Sequence, residues 1–180
     1  KAGNEYNYGS RKGIANRTPI IGPYGVNGEG SSDMYSKGGN LLHTIRHSIN
    51  NDKRFRSILV GLNETFYHKT VTTKEIEDYI SLYGKFNFSK VFDQYLRTTQ
   101  IPVFSYTIDR VEKLLTYQWK NCVPGFDLPL NFNYFGNQIA LRPIEFVPQR
   151  ISFKNESFDI DEFIKELELM YYVKAVEERY

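Results

Sequence analysis

The chain has 180 residues, 41% hydrophobic and 24% charged, and its 23 Lys and Arg against 21 Asp and Glu leave a formal charge of +2. That length suits one sizeable domain or two small ones able to bury roughly 70% of their unfolded surface, and so balanced a charge excludes a strong electrostatic footprint for nucleic acid or an anionic membrane. A single cysteine, Cys122, excludes an internal disulfide and a four-thiolate zinc site, and no apolar run approaches the roughly 18–20 residues a membrane span needs.

Residues 1–31 are rich in Gly, Asn and Pro and are expected to form an irregular arm. The opening KAGNEYNYGSRKG has no apolar centre of the signal-peptide kind, and its abrupt polar start reads as a piece of something longer. The compartment is not legible; a periplasmic or secreted parent is compatible with the chain. From Ser32 the period becomes helical, with Ser32 as the expected N-cap and Met34, Gly38, Leu41, Leu42, Ile45 and Ile49 along one stripe. A second helix follows Asn51–Asp52, with Phe55, Ile58, Leu59, Leu62 and Phe66 as its stripe. The third opens on a capping box, Thr72-Thr73-Lys74-Glu75, and is expected to stop at Gly84 as a C′ residue. A short fourth helix spans about 89–97, with Val91, Phe92, Tyr95 and Leu96 inward.

At Pro102 the period changes. Phe104, Tyr106 and Ile108 alternate with polar residues, as do Leu115, Tyr117 and Trp119, then Leu130, Phe132 and Tyr134. Turn residues at VPGFD and FGN separate these runs, so a small antiparallel sandwich-like unit is expected. The last stretch, 159–180, reads as a helix with Ile160, Phe163, Ile164, Leu167 and Tyr171 on one face, and with Asp159 and Asp161 as caps favoured by its dipole. The expected fold class is therefore α+β, divided into an arm (1–31), a helical block (32–99), a small β unit (100–158) and a terminal helix (159–180). Fourteen Tyr, 13 Phe and one Trp point to an aromatic core.

Most local motifs carry little chemistry. In HTIRH, His43 and His47 share a helix face and could clamp a zinc ion. A zinc protease, however, needs a glutamate directly after the first histidine to take a proton from metal-bound water, and here that residue is Thr44. HTIRH is a decoy. Cys122 has no sequence-local histidine and reads as a small buried residue. GPYGVNGEG, at 22–30, lacks the spacing of a phosphate cradle. Triplets of the form Asn-x-Ser/Thr begin at Asn16, Asn63, Asn87 and Asn155, as chance allows in an Asn-rich chain.

Tyr35, in SSDMYSKGG, is different because of its company. The segments DMYSKGGNLLHTIRHSI, FRSILVGLNETFYHKTVTTKEIEDYI and FDQYLRTTQIPVFSY follow one another in order, and together they resemble the zinc aminopeptidases of the aminopeptidase N family over roughly residues 24–135. The most specific parts are Tyr35-x-Lys37-Gly38 before an apolar helix, the Thr70-Val71-Thr72-Thr73 lead-in to the third helix, and the passage from Phe92-Asp93-Gln94-Tyr95-Leu96 to Pro102. The resemblance implies that the helical block ends a thermolysin-like catalytic domain. It also implies that Tyr35 faces zinc and donates a hydrogen bond to the oxyanion formed as water attacks a peptide carbonyl. Phenols suit that task because they stay protonated at neutral pH, and Gly38 and Gly39 would leave room for a substrate or another helix. No catalytic role falls to Lys37.

One departure is large. The family's HExxH and downstream glutamate ligand should precede Tyr35, yet no histidine occurs before His43. The expectation is a C-terminal portion whose zinc and peptide-binding residues lie in a missing N-terminal part of the same chain, and which alone holds no zinc and is inactive. An exposed apolar face would be left where that part docks. The alternative is a non-catalytic module that binds a peptide, a glycan or another subunit, with Tyr35 merely packed.

Overall fold

A computed structural model of the chain describes residues 2–22, 31–134, 137–153 and 159–178. The described helices are α1 (Ala2–Ser10, followed by a 3₁₀ turn at Arg11–Gly13), α2 (Asp33–Ile49), α3 (Asp52–Thr65), α4 (Thr73–Gly84), α5 (Ser89–Arg97) and α6 (Ile160–Met170). The strands are β1 (Val103–Asp109), β2 (Leu114–Lys120), β3 (Leu130–Tyr134), β4 (Asn137–Leu141), β5 (Gln149–Ser152) and β6 (Lys174–Glu177). The class is α+β: α1 to α5 precede the change of period at Pro102, and all the described strands follow it, with α6 set between β5 and β6.

Local chemistry explains most boundaries. Thr72 and Glu75 form the reciprocal capping box: Glu75 N donates to the Thr72 hydroxyl, and the Glu75 carboxylate accepts from Thr72 N at 2.7 Å. Asn51 caps α3 by accepting from Arg54 N at 2.9 Å, and Asp159 caps α6 by accepting from the amides of Asp161 and Glu162. Ser32, by contrast, is helical (φ −58°, ψ −17°) and makes no side-chain cap; Ser31 Oγ accepts from Asp33 N at 3.2 Å instead. Gly84 does not take the left-handed stop either. Lys85 does, at φ 60°, and Phe86 N reaches back to Ser81 O while Lys85 N reaches Leu82 O.

Gly84 is required for another reason. A Cβ there would lie 2.9 Å from the fully buried Phe88 ring and 3.4 Å from Ile49 Cδ1. Gly84→Ala gains about 0.5–1 kcal/mol of helix propensity but overpacks the core at a cost of about 1–3 kcal/mol. A net loss of about 1 kcal/mol is expected, read as a lower urea midpoint at unchanged slope; a midpoint at or above the parent's would show that Phe88 yields freely.

The alternating runs pair as their periodicity requires. β1 and β2 are antiparallel, with Phe104 opposite Trp119, Tyr106 opposite Tyr117 and Ile108 opposite Leu115. β5 adds antiparallel to β2, and β6 adds parallel to β1, giving a four-stranded mixed sheet of order β5-β2-β1-β6. β3 and β4 make a separate antiparallel pair. Two expectations need correction here. The terminal segment is not one helix, because Tyr171 leaves helical geometry and residues 174–177 join the sheet. The N-terminal arm is not wholly irregular, because residues 2–13 are helical, although no residue of α1 is buried.

The core is aromatic. Trp119, Tyr95, Tyr171, Phe88, Phe104, Phe126 and Phe163 are among the largest fully buried side chains. At its centre lies α2, whose buried face is unexpectedly polar: Asp33, Lys37, Asn40, Thr44 and Ser48 are all buried. Each is matched to a different part of the chain, as burying such groups demands. Asp33 accepts from the amides of Ala15 (2.9 Å) and Asn16 (2.6 Å), and Lys37 Nζ donates to Thr98 O at 2.8 Å. Asn40 Oδ1 accepts from Arg11 Nε at 2.7 Å, Thr44 Oγ1 accepts from Tyr172 N at 2.9 Å, and Ser48 Oγ donates to Pro129 O at 3.0 Å. Met34 and Leu42, expected inward, are 42% and 39% exposed because the polar face points into the core.

Candidate functional site

Tyr35 stands on the first turn of α2, opposite the polar face. Successive residues turn by about 100°, so Asp33 and Lys37, two residues either side, point nearly away from it. Its side chain is 80% exposed, and among the described residues its hydroxyl has no hydrogen-bond partner. Among the described residues Gly38, one turn on, has no atom within 4 Å of where a Cβ would lie, and Gly39 has only Asn7 Oδ1 at 3.8 Å. Exposed Met34 and Leu42 flank this open strip. The result is an exposed phenol on a helix whose other side is tied to the arm, to the end of α5 and to the segments that lead into β3 and β6.

Lys37 is fully buried, its ammonium seated on the carbonyl of Thr98, the C-cap of α5. That is the negative end of the α5 dipole. Burial pulls the Lys37 ammonium below its ordinary pKa, and the Asp33 carboxylate opposes the shift. Sequence periodicity missed this arrangement, since a polar stripe at 33, 37, 40, 44 and 48 reads as a solvated face. The one available signal was the opposite charge of Asp33 and Lys37 at i and i+4.

His43 and His47 do share a face, their rings 4.5 Å apart and edge-on, with the His47 ring 6.0 Å from that of Tyr171. Asn7 Nδ2 lies 3.5 Å from His43 Nδ1, while both Nε2 atoms are buried without a hydrogen-bond partner among the described residues. Burial, then the neighbouring His43 and Arg46, pushes His47 down to about 4. Burial lowers His43 too, against a favourable contribution from the Leu169 backbone. Among the described residues no group of three or more His, Cys, Asp or Glu could hold a metal, so the described side chains do not fit a zinc site.

The pair makes acid the weak flank of the fold. Above pH 6.5 both rings are neutral whether folded or unfolded, and their contribution to stability is complete. As pH falls from 6.5 towards 4 the unfolded chain takes up protons that the folded chain refuses, and stability is lost across that window. For His47 alone the loss is about 3 kcal/mol by pH 4. Urea midpoints measured from pH 7 to pH 4 should fall accordingly, with a shallower fall in His47→Gln; equal slopes in the two proteins would contradict this account.

Cys122 is half-buried, and burial with Glu145 nearby raises its thiol to about 12, unsuited to nucleophilic work. The GPYGVNGEG segment lies almost wholly outside the described residues, and Asn155 lies outside them as well. No described helix is long and apolar enough to cross a membrane. A depression of about 710 Å³ lies over the outer face of the four-stranded sheet, lined by Ser105, Thr107, Thr116, Gln118, Arg110 and Arg150, away from Tyr35. Set against known proteins, the chain matches no family model and no curated protein.

Proposed function

We propose that the chain is the C-terminal portion of an aminopeptidase-N-like zinc metallopeptidase, which hydrolyses amino-terminal peptide bonds, and that Tyr35 stabilises the oxyanion. On this reading α2 to α5 close a thermolysin-like catalytic domain and the strands form the unit that follows it. One observation carries the proposal: a phenol 80% exposed and without a hydrogen-bond partner among the described residues projects from a helix that is otherwise anchored by buried polar contacts, beside a glycine that no described atom crowds. The order of the motifs around Tyr35-x-Lys37-Gly38 and Thr70-Val71-Thr72-Thr73 supports it.

The chemistry asked of this chain is limited. A peptide carbonyl seated over the strip formed by Gly38 and Gly39 would place its oxygen within reach of the Tyr35 hydroxyl. As the carbonyl carbon becomes tetrahedral, the phenol donates a hydrogen bond to the growing negative charge and keeps its proton. Zinc, when bound, would polarise the carbonyl and activate water. The described residues do not fit that ion, so its ligands, with those that receive the peptide's amino group, are assigned to an N-terminal part of the same protein. The reading is tested in the full-length protein by comparing hydrolysis of an aminoacyl reporter by the parent and by Tyr35→Phe. A variant as fast as the parent overturns it, and an upstream sequence without HExxH and a later Glu would favour a binding module.

A further inference from the structure

The buried face of α2 bears on the same site. A lysine with no exposed surface is costly, and an apolar side chain of similar volume would fill the space without the desolvation penalty. Among the described residues the ammonium has one hydrogen bond, to Thr98 O at 2.8 Å, and the neighbouring Asp33 carboxylate is itself spent on the amides of Ala15 and Asn16. Asp33 and Lys37 thus tie the first turn of α2 to two separate partners, the arm at 15–16 and the end of α5. They bracket Tyr35 in sequence and lie across the helix from it. Fixing two points on one side of a turn fixes the rotation of the turn, and with it the direction of the side chain on the other side. Tyr35, being 80% exposed, has little packing of its own to do this.

We infer that Lys37 and Asp33 are positioning residues for Tyr35, holding the first turn of α2 so that its phenol meets the oxyanion; the inference rests on the reading of Tyr35 as the oxyanion donor. The pair acts only through that hydroxyl and touches no substrate. A misplacement of about 1 Å at a reacting centre costs up to about a hundredfold in rate, whereas the same loosening on an exposed face leaves binding of the remaining substrate groups intact.

The test uses four full-length proteins: the parent, Tyr35→Phe, Lys37→Met and the double variant. Lys37→Met should lower kcat about 10- to 100-fold at unchanged KM, and should lower it no further when Tyr35 is already Phe. Hydrogen exchange of the amides of residues 34–39 should quicken in Lys37→Met, with that of residues 41–49 unchanged. Should Lys37→Met fail to fold, Asp33→Asn, which keeps the size of the side chain, takes its place in the same comparison. A Lys37→Met protein as active as the parent, or one whose loss multiplies with that of Tyr35→Phe, overturns the positioning role and leaves the Tyr35 reading standing. If Tyr35→Phe itself is as active as the parent, both fall together.

Discussion

Trp119→Ala is expected to destabilise the fold by about 3–5 kcal/mol, the largest effect of any single substitution considered. Trp119 is the only tryptophan and has no exposed surface. Its ring meets Phe104 across the β1–β2 pair at 5.8 Å and Phe126 at 5.4 Å, both edge-on, and its indole Nε1 donates to Leu128 O at 3.3 Å. The backbone at the same position donates to Ile144 O and accepts from Phe146 N. Alanine would leave a large apolar cavity between the sheet and the 126–128 turn, and would strand the Leu128 carbonyl. Trp119→Phe keeps the ring and loses only the indole hydrogen bond and some volume, so it should cost about 1–2 kcal/mol. Because tryptophan fluorescence disappears with the substitution, unfolding is best followed by circular dichroism in urea. A midpoint for Trp119→Ala within error of the parent's would place the cohesion of the β residues elsewhere.

Tyr35→Phe is expected to show the opposite pattern, a large loss of rate with no loss of fold. The substitution removes one oxygen from an exposed ring that makes no hydrogen bond to the described residues, so stability should stay within about 0.5 kcal/mol of the parent. If that oxygen stabilises an oxyanion, its removal takes away about 3–4 kcal/mol of transition-state binding, or about 10²–10³ in rate. Such an interaction exists only as charge develops, so kcat and kcat/KM should fall together while KM holds. A rise in KM at constant kcat would instead mark Tyr35 as a substrate contact used equally in ground and transition states. Both quantities come from one titration of an aminoacyl reporter with full-length protein.

The secondary structure was largely legible because its signals are local. The Thr72/Glu75 box, the Asn51 and Asp159 caps and the alternation of Phe104, Tyr106, Trp119 and Phe132 each involve neighbours in sequence, and each determines an element directly. What escaped depends on contacts between distant segments. Residues 174–177 look like the continuation of a helix until β1 offers them a free edge. The polar stripe of α2 looks solvated until the amides of Ala15 and Asn16, the carbonyl of Thr98 and the amide of Tyr172 are known to face it. Gly84 looked like a helix stop, and only the position of Phe88 reveals that it is a gap left for a ring. Tyr35 stands out in the sequence only through its motif, and although the helical period sets Lys37, two residues on, across the helix from it, no periodicity tells that Lys37 is fully enclosed.

The parallel strand β6 sets a schedule for synthesis. Tyr171 and Tyr172 plug into the helices, with the Tyr95 hydroxyl on Tyr172 O at 2.6 Å, and the next residues hydrogen-bond to β1 from Pro102 to Tyr106. On the ribosome, β1 therefore emerges long before its neighbour on that side. Until residues 174–177 are made, the β1 edge they pair with has no neighbour on that side, so the sheet can close only when the chain is nearly finished.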